Sequence, residues 1–377
     1  MSDTTRTAED ILPARLCMAL DLGASKWHVA FLRDTTRRPK VHVVVAGNFG
    51  TLLEKAAAAK KRLGLPADAP ISSCYEAGRD GFWIHRELVK RGVDNHVIDP
   101  ASIEVERRWR KRKTDGIDAT KEVVRLVRFV GGDKHAFRTV NVPDEAAEDA
   151  RRVTRERRRL KKEAAQHQTR IRALLATIGV REERVMVPSL RADGQPLPPL
   201  LRAELDREME RLKLVREHLR AVEGHIKAYV ETSPDATAEK CRMLSGLKGI
   251  GVRSAAALCL EFFGWRQLRN RRQVGGLAGL TGTPHQSGDI NREQGISKAG
   301  NSSIRTLMVE LAWGWLRYQP NSDLSRWFAQ RFGGGKSRQR RIGVVALARK
   351  LLVALWRFVD QGVVPTGALL TPMPRLS

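Results

Sequence analysis

Four acidic residues stand where chain geometry would bring them together. Asp21 follows the apolar run 16–20, and Glu76 closes another short apolar run. Asp115 and Asp118 are three residues apart, a spacing that puts both on one face of a helix. Carboxylates raise each other's pKa at close range unless a cation lies between them, and Mg²⁺ prefers such oxygen ligands. The set therefore predicts a Mg²⁺ site able to act on a phosphodiester.

Each of these acids has a simpler interpretation when it is taken alone. An aspartate at a strand end is often a turn residue, and acids in the first turn of a helix favour the helix dipole. The joint pattern favours chemistry, because six basic residues fill six of the seven positions from 107 to 113. They are Arg107, Arg108, Arg110, Lys111, Arg112 and Lys113. Such a run suits a phosphate backbone, and Trp109 within it could stack on a base or pack.

Near the other end of the chain, Ser287 is a serine that chemistry could use only if its hydroxyl is exposed. It lies in a polar, glycine-flanked stretch, for which we predict a loop that exposes the hydroxyl. By composition Ser287 is an ordinary loop serine, and Ser297, Ser302 and Ser303 have the pattern of helix caps or phosphate contacts. A free serine is a poor nucleophile and needs activation. His285 could assist it, although a simple loop contact is the alternative for this histidine.

Further basic residues are expected to contact nucleic acid. The segment 247–251 (Leu-Lys-Gly-Ile-Gly) predicts a helix-hairpin-helix turn, whose backbone N–H groups can hold a phosphate without reading bases. The additional candidates are Arg151, Arg152, Arg155, Lys248, Arg253, Lys298, Arg305, Lys336 and Arg338.

The overall charge also calls for a polyanionic partner. The chain has 68 Lys and Arg against 42 Asp and Glu, a formal net charge of +26. Nucleic acid is the first candidate and an anionic membrane surface the second. No run of 18 apolar residues exists and the N-terminus has no signal-peptide core, so we expect a cytoplasmic protein with no spanning helix. The four cysteines are far apart and are expected to be buried thiols rather than zinc ligands.

The elements that must position these residues follow an α/β order in the first third of the chain. Short apolar runs predict strands at 16–20, 27–32, 41–46, 71–75 and 96–99, and helices at 52–63, near 82–91 and from 114 onward. Three early strands followed by alternating units match the strand order of RNase H-like domains. Thr114 is expected to cap the helix that carries Asp115 and Asp118.

The rest of the chain is predicted to be mostly helical. A helical pattern to residue 178 and an apolar seam from Leu201 to Ile226 predict a coiled-coil-like stalk, either a spacer or a binding element. Beyond it we expect helices near 304–316 and 342–359, with a basic glycine-rich loop at 333–341. The predicted divisions are a disordered tail (1–14), the carboxylate domain (15–135), the stalk (136–239), the serine domain (240–361) and a flexible tail (362–377).

Five segments together resemble a known family, in family order and at both ends of the chain. They are Ala19–Lys26, Cys74–Gly78, Lys113–Ala119, Leu247–Gly251 and Gly279–Arg305. They resemble the insertion-sequence transposases that pair a RuvC-like DEDD domain with a serine-containing transposase domain. Members of that family are known as RNA-guided recombinases that use a bridge (or seek) RNA. One departure is that Ala-Gly follows Glu76, where many relatives carry Thr-Gly.

The resemblance implies a fold, a set of site residues and a set of partners. It implies a RuvC-like, RNase H-like domain in which Asp21, Glu76, Asp115 and Asp118 are the DEDD ligands of Mg²⁺. It also implies that Ser287 forms a covalent phosphoserine before strand exchange. The implied partners are a non-coding guide RNA with donor and target DNA, bound by a dimer of dimers. In such an assembly the acids of one subunit and the serine of another form a composite site, acting at the bacterial nucleoid.

Two other functions remain open at this level. A metal-dependent, structure-specific nuclease such as a junction resolvase would use the same acids with water and need no serine. A non-enzymatic nucleic-acid scaffold would use only the basic residues, and its acids would be structural.

Overall fold

The computed structural model of the protein describes residues 14–36, 38–78, 80–103, 115–181, 186–287 and 290–371. At positions 115–117, 284–287 and 290–294 it describes the backbone alone. The chain divides into two compact units, Met1–Val142 and Pro143–Ser377. Each unit has its own hydrophobic core.

The first unit is built on a mixed five-stranded sheet. Its strands are β1 (Leu16–Leu22), β2 (Lys26–Leu32), β3 (Lys40–Val45), β4 (Ile71–Glu76) and β5 (Asp94–Ile98). Its helices are α1 (Phe49–Leu63), α2 (Trp83–Lys90) and α3 (Asp115–Val130), with a 3₁₀ turn at Pro100–Ser102. The strand order is β3-β2-β1-β4-β5. The first three strands are antiparallel, whereas β4 is parallel to β1 and β5 is parallel to β4.

Apolar side chains cover both faces of this sheet. The central strand β1 is buried from Leu16 to Leu20, as expected for a strand with neighbours on every side. One face packs against Leu52 of α1 and Ile84 of α2, and the other packs against Ala119 and Val123 of α3. The predicted order of strands and helices and the α/β class are therefore confirmed. The predicted cap of α3, residue 114, lies outside the described residues.

The second unit is mostly helical. Its helices are α4 (Glu145–Ala176), α5 (Pro199–Thr232), α6 (Ala236–Ser245), α7 (Val252–Leu258), α8 (Arg271–Leu277), α9 (Ser302–Tyr318), α10 (Asp323–Phe332) and α11 (Ser337–Gln361). A π-helical turn, Cys259–Phe263, continues α7. Two strands, β6 (Gly282–Ser287) and β7 (Ile290–Ile296), form an antiparallel hairpin between α8 and α9.

The two long helices α4 and α5 form the pair predicted as a stalk. They run antiparallel, because Arg157 pairs with Glu223 and, further along α4, His167 pairs with Glu208. The buried positions of α5 recur at gaps of three, four and seven residues, which matches the predicted apolar seam. They include Leu205, Leu212, Val215, Val222 and Ile226. One hydrophobic core contains these residues together with those of α6 to α11, so the packing of the second unit is continuous across position 240.

The basic glycine-rich segment 333–341 is only partly a loop. The helix α11 begins at Ser337, five residues before the predicted start. The side chain of Gln339 accepts a hydrogen bond from the backbone N–H of Lys336, and this contact caps the first turn. The prediction of a loop is correct for 333–336 and wrong for 337–341, because capping extends the helix beyond its apolar stripe.

The segment after Gly362 is anchored, at least as far as residue 371, rather than loose as expected. The backbone N–H of Thr371 donates to the carbonyl of Gly246 at 2.7 Å, and Leu370 forms a β-bridge with Leu247. Buried Gln319 holds the same segment: its amide nitrogen donates to the Leu369 carbonyl, and its oxygen accepts from the Leu369 N–H. These hydrogen bonds pair the backbone groups of the segment. The proline-rich composition gave no sign of that pairing.

All four cysteines are buried free thiols, as predicted. In the described part of the chain, no helix combines the length and the apolar character needed to cross a lipid bilayer.

Candidate functional site

Two neighbouring strands bring Asp21 and Glu76 to one edge of the sheet. The parallel strands β1 and β4 pair Ala19 with Cys74. Asp21 and Glu76 each lie two residues further along their strands. Because side chains alternate along a strand, both carboxylates lie on the face that Ala19 and Cys74 present to α3. Asp21 is half-buried there, and Glu76 is exposed.

Helix α3 crosses this face and carries the other two predicted acids. The Cys74 thiol donates to the backbone carbonyl of Glu122 at a sulfur–oxygen distance of 3.9 Å, which places this turn of α3 over β4. Asp118 lies one helical turn earlier and is half-buried. Asp115 is the first residue of α3, and only its backbone is described.

Glu122 is a fifth acid, which sequence reasoning missed. Its side chain is 3% exposed, and its Oε2 atom has no hydrogen-bond partner among the described residues. The spacing of three and four residues from Asp115 through Asp118 to Glu122 puts all three on one helix face. That spacing is the sequence signal that could have identified it.

The pKa of Glu122 is raised first by burial and then by its acidic neighbours. Burial raises the pKa of this carboxyl to about 9, and the negative charges of Glu76, Asp21 and Asp118 raise it as well, while Arg125 lowers it. Charge effects of this kind need short distances, because solvent and salt screen more remote carboxylates. The structure therefore brings Asp21, Glu76 and Asp118 together around one buried carboxyl.

This carboxylate cluster has the donor chemistry of a site for a hard divalent cation. Its ligand atoms are all carboxylate oxygens, the type that Mg²⁺ and Ca²⁺ prefer. Where side chains are described, no group of three or more His, Cys, Asp and Glu has the geometry of a metal site. The chemistry of these acids, rather than their geometry, suits a cation, because a bound cation would relieve their mutual repulsion.

Ser287 ends a strand rather than lying within a loop as predicted. It is the last residue of β6, and its Cα partner across the hairpin is Ile290 of β7. Only residues 288 and 289 separate the two strands, so the backbone places Ser287 beside the hairpin turn. The sequence signal for this hairpin is the pair Gly288-Asp289, residue types that favour two-residue connections.

The basic residues predicted to contact nucleic acid differ in exposure. The run 107–113 lies outside the described residues. The exposed members of the remaining set are Arg152, Lys248, Arg253, Lys298, Lys336 and Arg338. Arg305 is half-buried and donates to the carbonyls of Ala278 and Lys298 at 3.3 and 3.0 Å, so its guanidinium braces the chain before α9.

The burial of Arg151 contradicts its predicted role as a nucleic-acid contact. It is 7% exposed, and its Nε atom donates to Glu261 Oε2 at 3.2 Å. The Thr154 hydroxyl and the Arg155 guanidinium donate to the same carboxylate. Arg151 therefore links α4 to the π-helical turn and is too buried to contact a phosphate. Arg155 makes the same contact but remains half-exposed to solvent.

The predicted helix-hairpin-helix turn lies between α6 and α7. Gly249 has a φ of 94°, and a Cβ atom on it would lie 3.0 Å from the Tyr318 Cβ, so glycine is the residue that fits. Ile250 is buried beneath the turn, while Lys248 points a charged side chain to solvent. Buried Ile250 therefore holds the turn in place, and Lys248 gives its solvent-facing side a positive charge.

Comparison with known proteins identifies the family. Residues 241–325, which contain this turn and the serine hairpin, match the family described as "Transposase IS116/IS110/IS902 family". The chain is also 40% identical over 375 aligned positions to "Putative transposase y4rJ" of Sinorhizobium fredii, and the match covers 94% of each protein. The chain belongs to the IS116/IS110/IS902 transposase family.

Two further members are named for their insertion sequences. The transposase for insertion sequence element IS1111A of Coxiella burnetii is 24% identical over 299 positions, covering 75% of this chain and 76% of that protein. The transposase for insertion sequence element IS1328 of Yersinia enterocolitica is 27% identical over 237 positions, covering 60% and 67%. This IS116/IS110/IS902 transposase is therefore an enzyme, as predicted, and the non-enzymatic scaffold is excluded.

Proposed function

We propose that this transposase is an RNA-guided DNA recombinase that uses a carboxylate metal site and a serine nucleophile. The observation that carries the proposal is the convergence of Asp21, Glu76 and Asp118 around the buried carboxyl of Glu122. Gathering like charges beside a buried acid lowers stability unless a cation or a function offsets the repulsion. Because the family acts on DNA, such an arrangement of acids would serve chemistry on a phosphodiester.

The strand order supports an RNase H-like, RuvC-like assignment for the carboxylate domain, residues 15–135. An antiparallel β1-β2-β3 meander precedes two parallel strands, β4 and β5, added on the other side of β1. In such a sheet the first strand is central, and its end meets the end of β4. Asp21 and Glu76 stand at these two ends.

The metal ligands in this proposal are Asp21, Glu76, Asp115 and Asp118, and the metal is Mg²⁺. When bound, Mg²⁺ would supply positive charge to the phosphate oxygens and to the oxygen that leaves. Asp21 and Glu76 belong to the face of the sheet that packs against α3, the helix that carries Asp115 and Asp118. Burial raises the pKa of the neighbouring Glu122 carboxyl and so favours its protonated form.

The serine step is a phosphoryl transfer. The Ser287 oxygen attacks a DNA phosphorus and forms a serine–phosphate ester, while one P–O bond to the DNA chain breaks and a free hydroxyl end leaves. The proton of the serine hydroxyl ends on the leaving oxygen. A hydroxyl of another strand then attacks the phosphoserine, which restores the serine and joins the strands without loss of bond energy.

The partners in this proposal are a structured non-coding guide RNA and the donor and target DNA. A dimer of dimers would join the acids of one subunit to Ser287 of another. The helical pair within 136–239 is the proposed stalk, and 240–361 is the proposed serine domain. The proposed nucleic-acid contacts are the run 107–113 with Arg152, Lys248, Arg253, Lys298, Arg305, Lys336 and Arg338, together with the helix-hairpin-helix turn at 247–251.

The decisive experiment follows the covalent intermediate. Purified Ser287→Ala protein, incubated with cognate donor and target DNA and with copurifying RNA, should form no protein–DNA adduct on a denaturing gel. Ser189→Ala is the matched control, because Ser189 is an exposed residue between α4 and α5 and lies outside the hairpin. Adducts that persist in Ser287→Ala at the control level would refute the nucleophile.

Two further readouts separate this proposal from a water-using nuclease. Joined strands in the products indicate recombination, whereas free ends alone indicate hydrolysis by the same acids. Sequencing of the RNA that copurifies with the protein should give one discrete structured species. A heterogeneous RNA background at the level bound by any basic protein would contradict RNA guidance.

A further inference from the structure

A groove lies beside the base of the serine hairpin and is lined by residues of the second unit. It has a volume of about 1130 Å³. Its walls come from α8, the hairpin base, α10, α11 and the segment 363–366. The sequence prediction placed only Lys298 and Arg338 of this groove among the nucleic-acid contacts.

The groove is strongly cationic. Its basic lining residues are Arg271, Arg272, Lys298, Arg338, Arg341, Arg349, Lys350 and Arg357. Seven of these are exposed and Arg349 is half-buried. Among the described side chains, none of the eight forms an ion pair with a carboxylate, and the acid that lines the groove, Asp323, pairs with Arg326 instead. Eight such charges beside one another need an anion with several charges.

Apolar side chains lie between these cations. Ile342 and Val363 are 57% and 54% exposed, and Val345 and Val353 of α11 line the same surface. Trp327 of α10 is half-buried at the groove, and the Lys350 ammonium lies 4.6 Å from the centre of its ring. A duplex presents phosphates outward and hides its bases, so it would leave this apolar surface exposed. A single strand offers phosphates to the cations and base faces to the apolar surface.

The groove and the serine hairpin are continuous. Gly282 and Ile296 line the groove and pair with each other at the base of the hairpin. Ser287 ends the same strand, β6, five residues later. A strand of this length spans about 17 Å, at about 3.4 Å per residue. A nucleic-acid strand held in the groove therefore lies within a few nucleotides of the hairpin turn.

We propose that this groove holds a single strand of DNA, with its phosphates on the eight basic residues and a base against Trp327. The choice of DNA over RNA rests on the proposed function, because Ser287 at the end of β6 would act on DNA. The groove would hold the strand on one side of the hairpin while the serine acts on it. Binding itself needs no chemistry at Ser287.

The test measures binding of the full-length protein to a fluorescent 20-nucleotide oligo-dT across a range of salt concentrations. Every protein carries Ser287→Ala, so that covalent capture does not contribute and failure of the nucleophile assignment leaves the readout intact. The groove variant adds Arg341→Gln, Lys350→Gln and Arg357→Gln. The matched control adds Lys213→Gln, Arg216→Gln and Arg220→Gln, three exposed cations of α5, and has the same net charge.

The groove variant should bind oligo-dT about 50-fold more weakly at 0.15 M salt, if three phosphate contacts of a single strand are lost. Its log–log salt slope should be shallower by about 2, while the control should change little. Photocrosslinking of an oligo-dT that carries 5-iododeoxyuridine should label α10 peptides that contain Trp327. Equal losses in both variants would overturn the groove assignment, as would a groove variant that loses duplex or oligo-rU binding but keeps oligo-dT binding.

Discussion

Buried glutamates in the two units of this transposase have opposite surroundings. Glu122 in the first unit and Glu208 in the second are each 3% exposed. Burial and three neighbouring carboxylates raise the pKa of Glu122 to about 9. Burial also acts to raise the pKa of Glu208, but hydrogen bonds and charges from His167 and Arg170 outweigh it and lower the pKa to about 2.

Glu261 follows the pattern of Glu208. It is buried in the π-helical turn and surrounded by the guanidinium groups of Arg151 and Arg155, which hold its pKa below the usual range against the effect of burial. Glu208 and Glu261 are thus paired with basic groups of α4. The charges of Glu76, Asp21 and Asp118 instead act on Glu122 in the same direction as burial, and a pKa raised in this way is common at functional sites.

The sharpest test of this difference is removal of one repelling charge. Asp21→Asn, Glu76→Gln or Asp118→Asn should each lower the rate of strand joining by about 1000-fold, or about 4 kcal/mol, because metal ligation is lost. None should unfold the first unit, since each change relieves repulsion. Strand joining with cognate DNA measures the rate, and circular dichroism checks the fold.

Asp68→Asn is the matched control, because Asp68 is an exposed aspartate in the loop before β4. It should keep full activity. If the three acidic variants also kept activity, the cluster would have only a structural role. The contrast between Glu122 and Glu208 would then not indicate a catalytic site.

A second test breaks the paired arrangement in the second unit. Glu261→Gln should lower the free energy of unfolding by about 3 kcal/mol, because it leaves Arg151 buried without a countercharge. Chemical denaturation followed by hydrogen exchange of α4 and Cys259–Phe263 peptides locates the loss. A change below about 0.5 kcal/mol would show that the guanidinium groups find other partners or water.

The next effect has the opposite sign and depends on pH. Glu122→Gln should raise the stability of the first unit at pH 7 by about 2 kcal/mol, because the native chain must keep this carboxyl protonated while the unfolded chain ionises it. A folded pKa above the unfolded one gives stability below the unfolded pKa, near 4.5. That stability is lost as pH rises toward 9. The advantage of Glu122→Gln should therefore vanish at pH 4, as measured by hydrogen exchange in β1, β4 and α3.

Glu208→Gln is the counterpart with reversed pH dependence. The folded pKa of Glu208 is depressed, so its stabilising contribution is present above about pH 4.5 and is lost as pH falls toward 2. Wild type should lose about 0.7 kcal/mol more than Glu208→Gln between pH 5 and pH 4. If both variants responded to pH in the same direction, the contrast between the two buried glutamates would be wrong.

The periodicity of apolar residues predicted most of the fold, because it follows which side chains of a strand or helix are buried and which are exposed to solvent. The apolar run at Leu16–Leu20 and the seam of α5 are buried as expected. Local hydrogen bonds explain where prediction went wrong: Gln339 extends α11 by capping it, and Gln319 anchors the segment around Leu369. Neither contact leaves a periodic signal in the sequence.

The candidate site divides in the same way. Strand ends and helical spacing were enough to select Asp21, Glu76 and Asp118. Glu122 was missed because a glutamate seven residues into a helix looks like an exposed one until the sheet beneath it is known. Arg151 was selected wrongly because its partner Glu261 lies 110 residues away in the chain.

The sequence alone therefore determined which acids, serine and basic residues this transposase has, and the order of elements that carries them. Only the tertiary structure decided which of those charges are paired. The physical reason is that the energy of a charge depends on its distance to other charges and on its access to water, and both are set when distant segments pack. The groove beside the serine hairpin is a product of the same packing, since its cations come from α8, the hairpin base and α11.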